Sequence, residues 1–267
     1  MESPVCSLPS TKRLVALVLI CTAVMQFAVQ VGFLVRGVEY VVTSLTVDDT
    51  YYYLQTAWNT KQLGFPTFDG IHPTNGVQLL WFWVVALIAV FTPTKTALLF
   101  AALITCFLFN VLCYPVIWNL GKLVRRPMLT LYMACLWLLF SFGLGVYSTG
   151  MENSLHALVF WSVVWQATDF LVRIQEGQRP NLLGLTVMLI LNAWARVDAG
   201  LFSVLLYVYC VVVAFRARRY TLSRRKDVWA IAGTALLAAC GAAAQLIAFR
   251  LMGGRFCLSL CWSRAYG

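Results

Sequence analysis

Long, uninterrupted apolar runs constrain this chain more than any other feature. They occupy residues 14–36, 78–92, 97–118, 128–147, 154–172, 181–195, 199–215 and 228–250. Several are close to the roughly 20 residues that a helix needs to cross a bilayer. Because backbone polar groups in lipid must be satisfied internally, and strand-like alternation is absent, we expect each run to be helical. With 61% hydrophobic and 11% charged residues, the sequence predicts an all-α, polytopic bundle in a lipid bilayer.

The basic residues between the runs indicate which loops face the cytoplasm. They form three clusters: Lys122, Arg125 and Arg126; Arg173 and Arg179; and Arg216, Arg218, Arg219, Arg224, Arg225 and Lys226. The positive-inside rule predicts that all three loops are cytoplasmic, and Lys12 and Arg13 predict the same for the N-terminus. Because topology explains these clusters, we expect no nucleic-acid partner.

This orientation requires that one early apolar run does not cross the membrane. If residues 37–77 are outside and Lys122 is inside, an odd number of membrane crossings must separate them. Two apolar runs, 78–92 and 97–118, lie between them. The run 78–92 is short and rich in Trp and Phe, so we expect it to lie in or dip into the outer leaflet. The sequence thus predicts about seven transmembrane helices, with amphipathic or re-entrant helices in a first outer loop, 37–96.

Acidic residues concentrate on the predicted outer side. Asp48 and Asp49 open the segment TVDDTYYYLQTAWN, and Glu152 and Asp198 lie in later outer loops. Adjacent carboxylates beside an aromatic helix at a membrane surface suggest chemistry. The alternative is that they cap the helix and complement its dipole.

Two more outer segments carry candidate residues. The loop GFPTFDGIHPTNGVQ reads as successive turns, in which Asp69 and His72 either bind a sugar or cation or only shape the turn. In YSTGMENS, Glu152 stands between two spans, where a lone carboxylate indicates a functional site. It could instead be the capping-box partner of Ser148 or Thr149.

A third segment, NAWARVDAG, places Arg196 and Asp198 at the end of an apolar run. Arginine can hold a phosphate bidentately, and Asp198 could orient it or cap the next helix. The alternative is a simple interfacial salt pair.

In this order, the first span, the paired acids, the aromatic helix, the HPTNG turn, TGME and ARVDA resemble the GT-C superfamily of polyprenyl-phosphate-sugar-dependent glycosyltransferases, and mannosyltransferases in particular. The resemblance covers roughly residues 14–215. It implies a catalytic carboxylate in the first outer loop and a site that faces outward, and we expect a bacterial inner membrane. The donor would be a polyprenyl-phosphate sugar; the acceptor is unspecified.

The resemblance also implies catalytic roles. Asp48 or Asp49 would be the general base that deprotonates an acceptor hydroxyl. Positive charge is needed near the departing phosphate. If a divalent cation such as Mg or Mn supplies it, Asp49 and Glu152 are the expected oxygen ligands.

The resemblance also implies substrate-binding roles. Glu152 would orient the acceptor or the metal, and Arg196 would contact the donor phosphate. Asp198, His72 and Asn75 are further candidates for substrate contact.

The chain is shorter than is usual for the superfamily. We expect a transmembrane module over residues 1–250 and a short irregular tail over 251–267. A non-catalytic or truncated membrane subunit of the same fold is therefore the main alternative. A transporter is another, although the acids gather at one face and no repeat is visible.

Overall fold

The part of the chain that the structure describes is built from helices. The computed structural model describes residues 9–143, 149–216 and 226–253. Its helices are α1 (Pro9–Val35), α2 (Val38–Tyr40), a π-helical turn (Val41–Leu45), α3 (Asp48–Leu63), α4 (Leu79–Phe91), α5 (Lys95–Val124), α6 (Pro127–Gly143), α7 (Asn153–Gln175), α8 (Leu182–Ala195), α9 (Ala199–Arg216) and α10 (Lys226–Gly253). Each of the eight apolar runs forms a helix within its described residues, as predicted.

Five of the described helices are long and apolar enough to cross a membrane, which indicates a multi-pass membrane protein. They are α1, α5, α7, α9 and α10. Three apolar helices are shorter: Leu79–Phe91, Pro127–Ser141 and Leu182–Ala195. With 13 residues, α4 is about 20 Å long, against a hydrocarbon thickness of about 30 Å.

Buried polar side chains join α1, α5 and α6. Gln26 is fully buried; its Nε2 donates to Ser141 Oγ at 2.8 Å, and its Oε1 accepts from the Tyr114 hydroxyl at 2.6 Å. Trp137 Nε1 donates to the Asn110 carbonyl at 2.9 Å. Hydrogen bonds of this kind fix the register of helices in lipid, where apolar packing alone is less directional.

Helices α3 and α4 lie side by side. The Tyr53 hydroxyl accepts from the Gln78 backbone N–H at 3.1 Å, just before α4 begins. Near the other end, Lys61 Nζ donates to the Thr92 carbonyl at 2.7 Å, just after α4 ends. The two ends of α4 are thus both bound to the polar helix α3.

A close approach between α5 and α6 gives a test of the bundle. A Cβ at Gly121 would overlap the Thr130 side chain, whereas one at Gly32 would meet no described atom within 4 Å. We expect Gly121→Ala to lower the free energy of unfolding by about 1–3 kcal/mol, because the packed neighbour must move. The midpoint of thermal unfolding in detergent measures this.

Gly32→Ala is the matched control and should leave that midpoint unchanged or slightly higher. Adding Thr130→Ala to Gly121→Ala should restore only part of the loss, since it removes the hydroxyl that the new methyl group meets but keeps Thr130 Cβ, which would lie 2.7 Å from that methyl group. Equal midpoints for the two glycine variants would contradict the close approach.

Candidate functional site

The segment Thr149–Met151 is held by one hydrogen bond from each of three helices. Thr50 Oγ1 of α3 donates to the Thr149 carbonyl at 2.6 Å, and Trp81 Nε1 of α4 donates to the Gly150 carbonyl at 3.1 Å. Cys106 Sγ of α5 lies 3.6 Å from the Met151 carbonyl. Gly150 has φ +87°, and a Cβ there would lie 2.8 Å from Thr50 Cγ2. Only glycine suits this position.

These three hydrogen bonds fix the backbone of Thr149–Met151, and the side chain of the next residue, Glu152, points into the protein. Glu152 stands at the N-cap of α7 without making a capping hydrogen bond, and it is only 4% exposed. Ser148, the other member of the capping-box alternative, lies outside the described residues. Glu152 Oε2 is buried, and the Tyr53 hydroxyl lies within hydrogen-bonding reach of the Glu152 carboxylate. A buried carboxylate is costly without partners of this kind.

Arg196 lies beside Glu152, between two carboxylates. Its Nη1 is 3.3 Å from Glu152 Oε1 and 3.3 Å from Asn153 Oδ1. Its Nε and Nη2 donate to the two oxygens of Asp198, each at 3.0 Å. The structure therefore brings together three residues predicted for the site, Glu152, Arg196 and Asp198.

Hydrogen bonding between Arg196 and Asp198 shifts both groups toward their charged forms. It raises the pKa of Arg196 and lowers the pKa of Asp198. A carboxylate with a lowered pKa contributes stability above its ordinary pKa and loses that contribution as the pH falls. The pair is therefore charged at neutral pH, although the Asp198 side chain is 67% exposed and the pair is open to solvent screening.

Tyr53 of α3 and Gln78, which precedes α4, connect these two helices to this cluster. The Tyr53 hydroxyl accepts from the Gln78 backbone N–H, and Gln78 Oε1 accepts from the Val197 N–H at 3.2 Å. Burial, and next the charge of Glu152, raise the pKa of Tyr53 far above its ordinary value. Tyr53 is therefore a neutral phenol beside the Glu152 carboxylate. In the sequence Tyr53 is one of three consecutive tyrosines, and nothing there indicated its contact with Glu152.

Asp48 and Asp49 both lie exposed in the first turn of α3. Asp49 is one helical turn before Tyr53 and so shares its face, and its charge contributes to the raised pKa of Tyr53. Asp48 does not share this spacing. Of the two acids, Asp49 is thus the one whose charge acts on Tyr53, and no described hydrogen bond or ion pair joins either acid to Glu152 or Arg196.

The loop residues form a separate structure. Asp69 Oδ1 accepts from the backbone N–H groups of Ile71 and His72 at 2.8 Å, and Oδ2 lies 2.7 Å from His72 Nδ1. These bonds, His72 foremost, lower the pKa of Asp69. Asn75 Nδ2 donates to the Phe249 carbonyl of α10 at 3.4 Å. The described contacts join neither His72 nor Asn75 to Glu152 or Arg196.

The oxygens for a cation are limited at this site. Glu152 Oε1 already faces a guanidinium, so this carboxylate offers a Mg or Mn ion only Oε2, and Asp49 and water would supply the other ligands. Among the described residues, no group of three or more His, Cys, Asp or Glu is arranged to hold a metal. The cation stays a prediction.

No protein-family model matches the chain, and comparison with curated proteins and with solved structures finds no match. The likeness to GT-C enzymes therefore rests on the sequence motifs.

The pairing of Arg196 with a buried carboxylate gives a stability test. Arg196→Ala should lower the free energy of unfolding by about 3 kcal/mol, because it leaves Glu152 as a buried charge without its partner. Adding Glu152→Gln should recover part of the loss. Unfolding midpoints of the two single variants and the double variant measure the coupling.

Asp198→Asn is the control, because it removes the exposed carboxylate that pairs with Arg196. It should lower the free energy of unfolding by less than about 1 kcal/mol. Strictly additive effects of Arg196→Ala and Glu152→Gln would show that the two side chains are not coupled.

Proposed function

We propose that this protein is a GT-C-type membrane glycosyltransferase, which moves a sugar from a polyprenyl-phosphate donor to an acceptor hydroxyl on the outer face of a bacterial inner membrane. The observation that carries the proposal is the arrangement of Arg196 between buried Glu152 and exposed Asp198, with Asp49 on the adjoining face of α3. This arrangement supplies a fixed cation for a phosphate and a separate, accessible acid.

Arg196 suits a phosphate monoanion or dianion. Its bidentate partner Asp198 presents two oxygens in a plane, as a phosphate does, and is exposed, so a phosphate can replace it while Asp198 returns to water. The Glu152 side chain is only 5% exposed, so it stays in place when the phosphate binds. The guanidinium would then neutralise charge on the departing polyprenyl phosphate.

In the proposed reaction Asp49 accepts the proton of the acceptor hydroxyl. The acceptor oxygen forms a bond to the anomeric carbon while the bond from that carbon to the phosphate oxygen breaks. The electron pair leaves with the polyprenyl phosphate, which Arg196 holds, and Asp49 later releases its proton to water. Glu152 and the neutral Tyr53 position the groups around the anomeric centre.

The contacts of α4 support a topology of seven spans, with α4 outside that count. Helix α3 carries Asp48, Asp49, Gln55, Asn59 and Lys61 and is too polar to cross a membrane. It binds both ends of α4, and Lys95 at the start of α5 donates to Gln55 Oε1 at 2.8 Å. We therefore infer that α3 and α4 form one layer at the outer surface.

A non-catalytic membrane subunit is the second candidate. It is favoured by the observation that four of the five N–H donors of Arg196 are already bound to carboxylate and amide oxygens. Ion pairs of this kind can have a purely structural role. Donor binding separates the two candidates.

Binding of a polyprenyl-phosphate sugar to the purified chain in detergent tests the proposal. We expect saturable binding by the wild type that weakens roughly tenfold to a hundredfold in Arg196→Ala, because a charge-assisted contact to the phosphate is lost. Asp49→Asn should still bind the donor but slow transfer to an acceptor by roughly two to four orders of magnitude. Adding EDTA tests the contribution of a divalent cation.

The matched control for loss of a cation is Arg36→Ala. Arg36 lies at the start of the first outer loop, where its guanidinium stacks on Tyr40 at 4.7 Å, and the variant should bind the donor as the wild type does. Absence of binding by folded wild type would favour the non-catalytic subunit.

Cysteine labelling tests the proposed topology. In a background without the nine native cysteines, Lys61→Cys and Lys95→Cys should both react with an impermeant maleimide from outside. Arg125→Cys should react only from the cytoplasmic side. Labelling of Lys95→Cys from the cytoplasm alone would show that α4 crosses the membrane.

A further inference from the structure

A closed ring of hydrogen bonds joins the ends of α4, α7 and α8 to α3. The Gln78 backbone N–H donates to the Tyr53 hydroxyl at 3.1 Å, and that hydroxyl lies within hydrogen-bonding reach of the Glu152 carboxylate. Glu152 Oε1 meets Arg196 Nη1 at 3.3 Å. Val197, the next residue along the chain, donates its backbone N–H to Gln78 Oε1 at 3.2 Å. The ring therefore begins and ends at Gln78.

The direction of the hydrogen bonds is set at Tyr53. A phenol carries one proton, and the Tyr53 hydroxyl accepts from the Gln78 N–H, so its own proton is donated to Glu152. The Glu152 carboxylate thus has a phenol on one side and the Arg196 guanidinium on the other. Two such partners satisfy a buried carboxylate, and they fix the order of contacts from α3 through α7 to α8.

Gln78 gives both of its polar ends to the ring. It is the N-cap residue of α4, where a side chain can cap the first turn of the helix, yet it makes no such bond. Its side-chain oxygen instead reaches Val197, just past the C-cap residue of α8. One residue therefore holds the start of α4, the hydroxyl of α3 and the end of α8 together.

The ring joins the helix of the proposed base to the proposed phosphate contact. Asp49 lies in the first turn of α3, one turn before Tyr53. No described hydrogen bond or ion pair joins Asp49 to Arg196, so the distance between them depends on contacts made by other residues. Because Val197 follows Arg196 directly, Gln78 holds the backbone of the arginine itself.

We propose that Gln78 is a positioning residue for the transfer reaction, which holds Arg196 and the phosphate it binds at a fixed distance from Asp49. This role rests on the proposed function. Gln78 does not contact the phosphate, and its hydrogen bonds remain when a phosphate replaces Asp198 on the guanidinium. A shift of about 1 Å between reacting groups can slow a reaction about a hundredfold, so a fixed distance matters for the rate.

Turnover of a polyprenyl phosphate that carries one mannose tests this role, with water and added methanol as acceptors. The acceptor oxygen bonds to the anomeric carbon, the bond from that carbon to the phosphate oxygen breaks with its electron pair, and Asp49 takes the proton. Gln78→Met removes the acceptor of the Val197 N–H and keeps the length of the side chain. We expect this variant to bind the lipid within about twofold of the wild type and to turn it over roughly tenfold to a hundredfold more slowly.

Two further variants separate positioning from a loss of structure. Gln78→Glu keeps an oxygen at the same reach and should recover most of the lost turnover. Tyr53→Phe opens the ring at a second place, and the double variant with Gln78→Met should be little slower than the slower single variant, since residues that act as a unit are not additive. The unfolding midpoint of Gln78→Met should stay close to that of the wild type, because the freed N–H is exposed and can bind water.

Gln55→Met is the matched control. Gln55 is a glutamine on α3 that bonds to Asn59 and Lys95 and lies outside the ring. This variant should bind the mannosylated lipid and turn it over as the wild type does.

Each outcome decides between the two proposals. Slower turnover with unchanged binding in Gln78→Met, recovered in Gln78→Glu, supports the positioning role. Unchanged turnover in Gln78→Met, or binding and turnover that fall together with the unfolding midpoint, overturns that role and leaves the proposed function standing. If the folded wild type does not turn the lipid over, the proposed function fails and the positioning role fails with it.

Discussion

Burial of the Glu152 carboxylate beside Arg196 is the constraint on which the site depends. A carboxylate removed from water is tolerated only with a charged partner and fixed geometry. Arg196 supplies the charge. The geometry is fixed by three hydrogen bonds to the carbonyls of Thr149–Met151, one from each of α3, α4 and α5. The positive φ of Gly150 lets the backbone reach these donors. Helices α3 and α4 are therefore joined to α5, α7 and α8 at Glu152.

The acids of the site are separated by their environments. Glu152 is buried and committed to Arg196, whereas Asp49 is exposed on the first turn of α3. A general base must reach both its substrate and water, and a group that orients an arginine must stay fixed. The proposed division of roles, with Asp49 as base and Glu152 as positioning group, follows from this difference.

The sequence predicted the helices well because a bilayer allows few other structures for long apolar runs. It also singled out Glu152, Arg196 and Asp198 as candidates, since charged residues at the ends of apolar runs are costly without partners. It paired Arg196 only with Asp198, however, and the contact of Arg196 with Glu152 is seen only in the structure. Tyr53 and Gln78 were missed because nothing in local periodicity shows which residues meet across α3, α4 and α8. In the same segment, the i, i+3, i+7 spacing of Tyr51, Leu54 and Trp58 is typical of a helix face that lies on a membrane interface. In the structure, Leu54 is instead buried in the protein core.

His156 and Asn192 show the same limit of sequence reasoning. Each looks like an ordinary polar residue within an apolar helix, for which a packing hydrogen bond is the expected state. Only the pairing of α7 with α8 shows that the two side chains meet each other, one helical turn from the ion pair of Glu152 and Arg196.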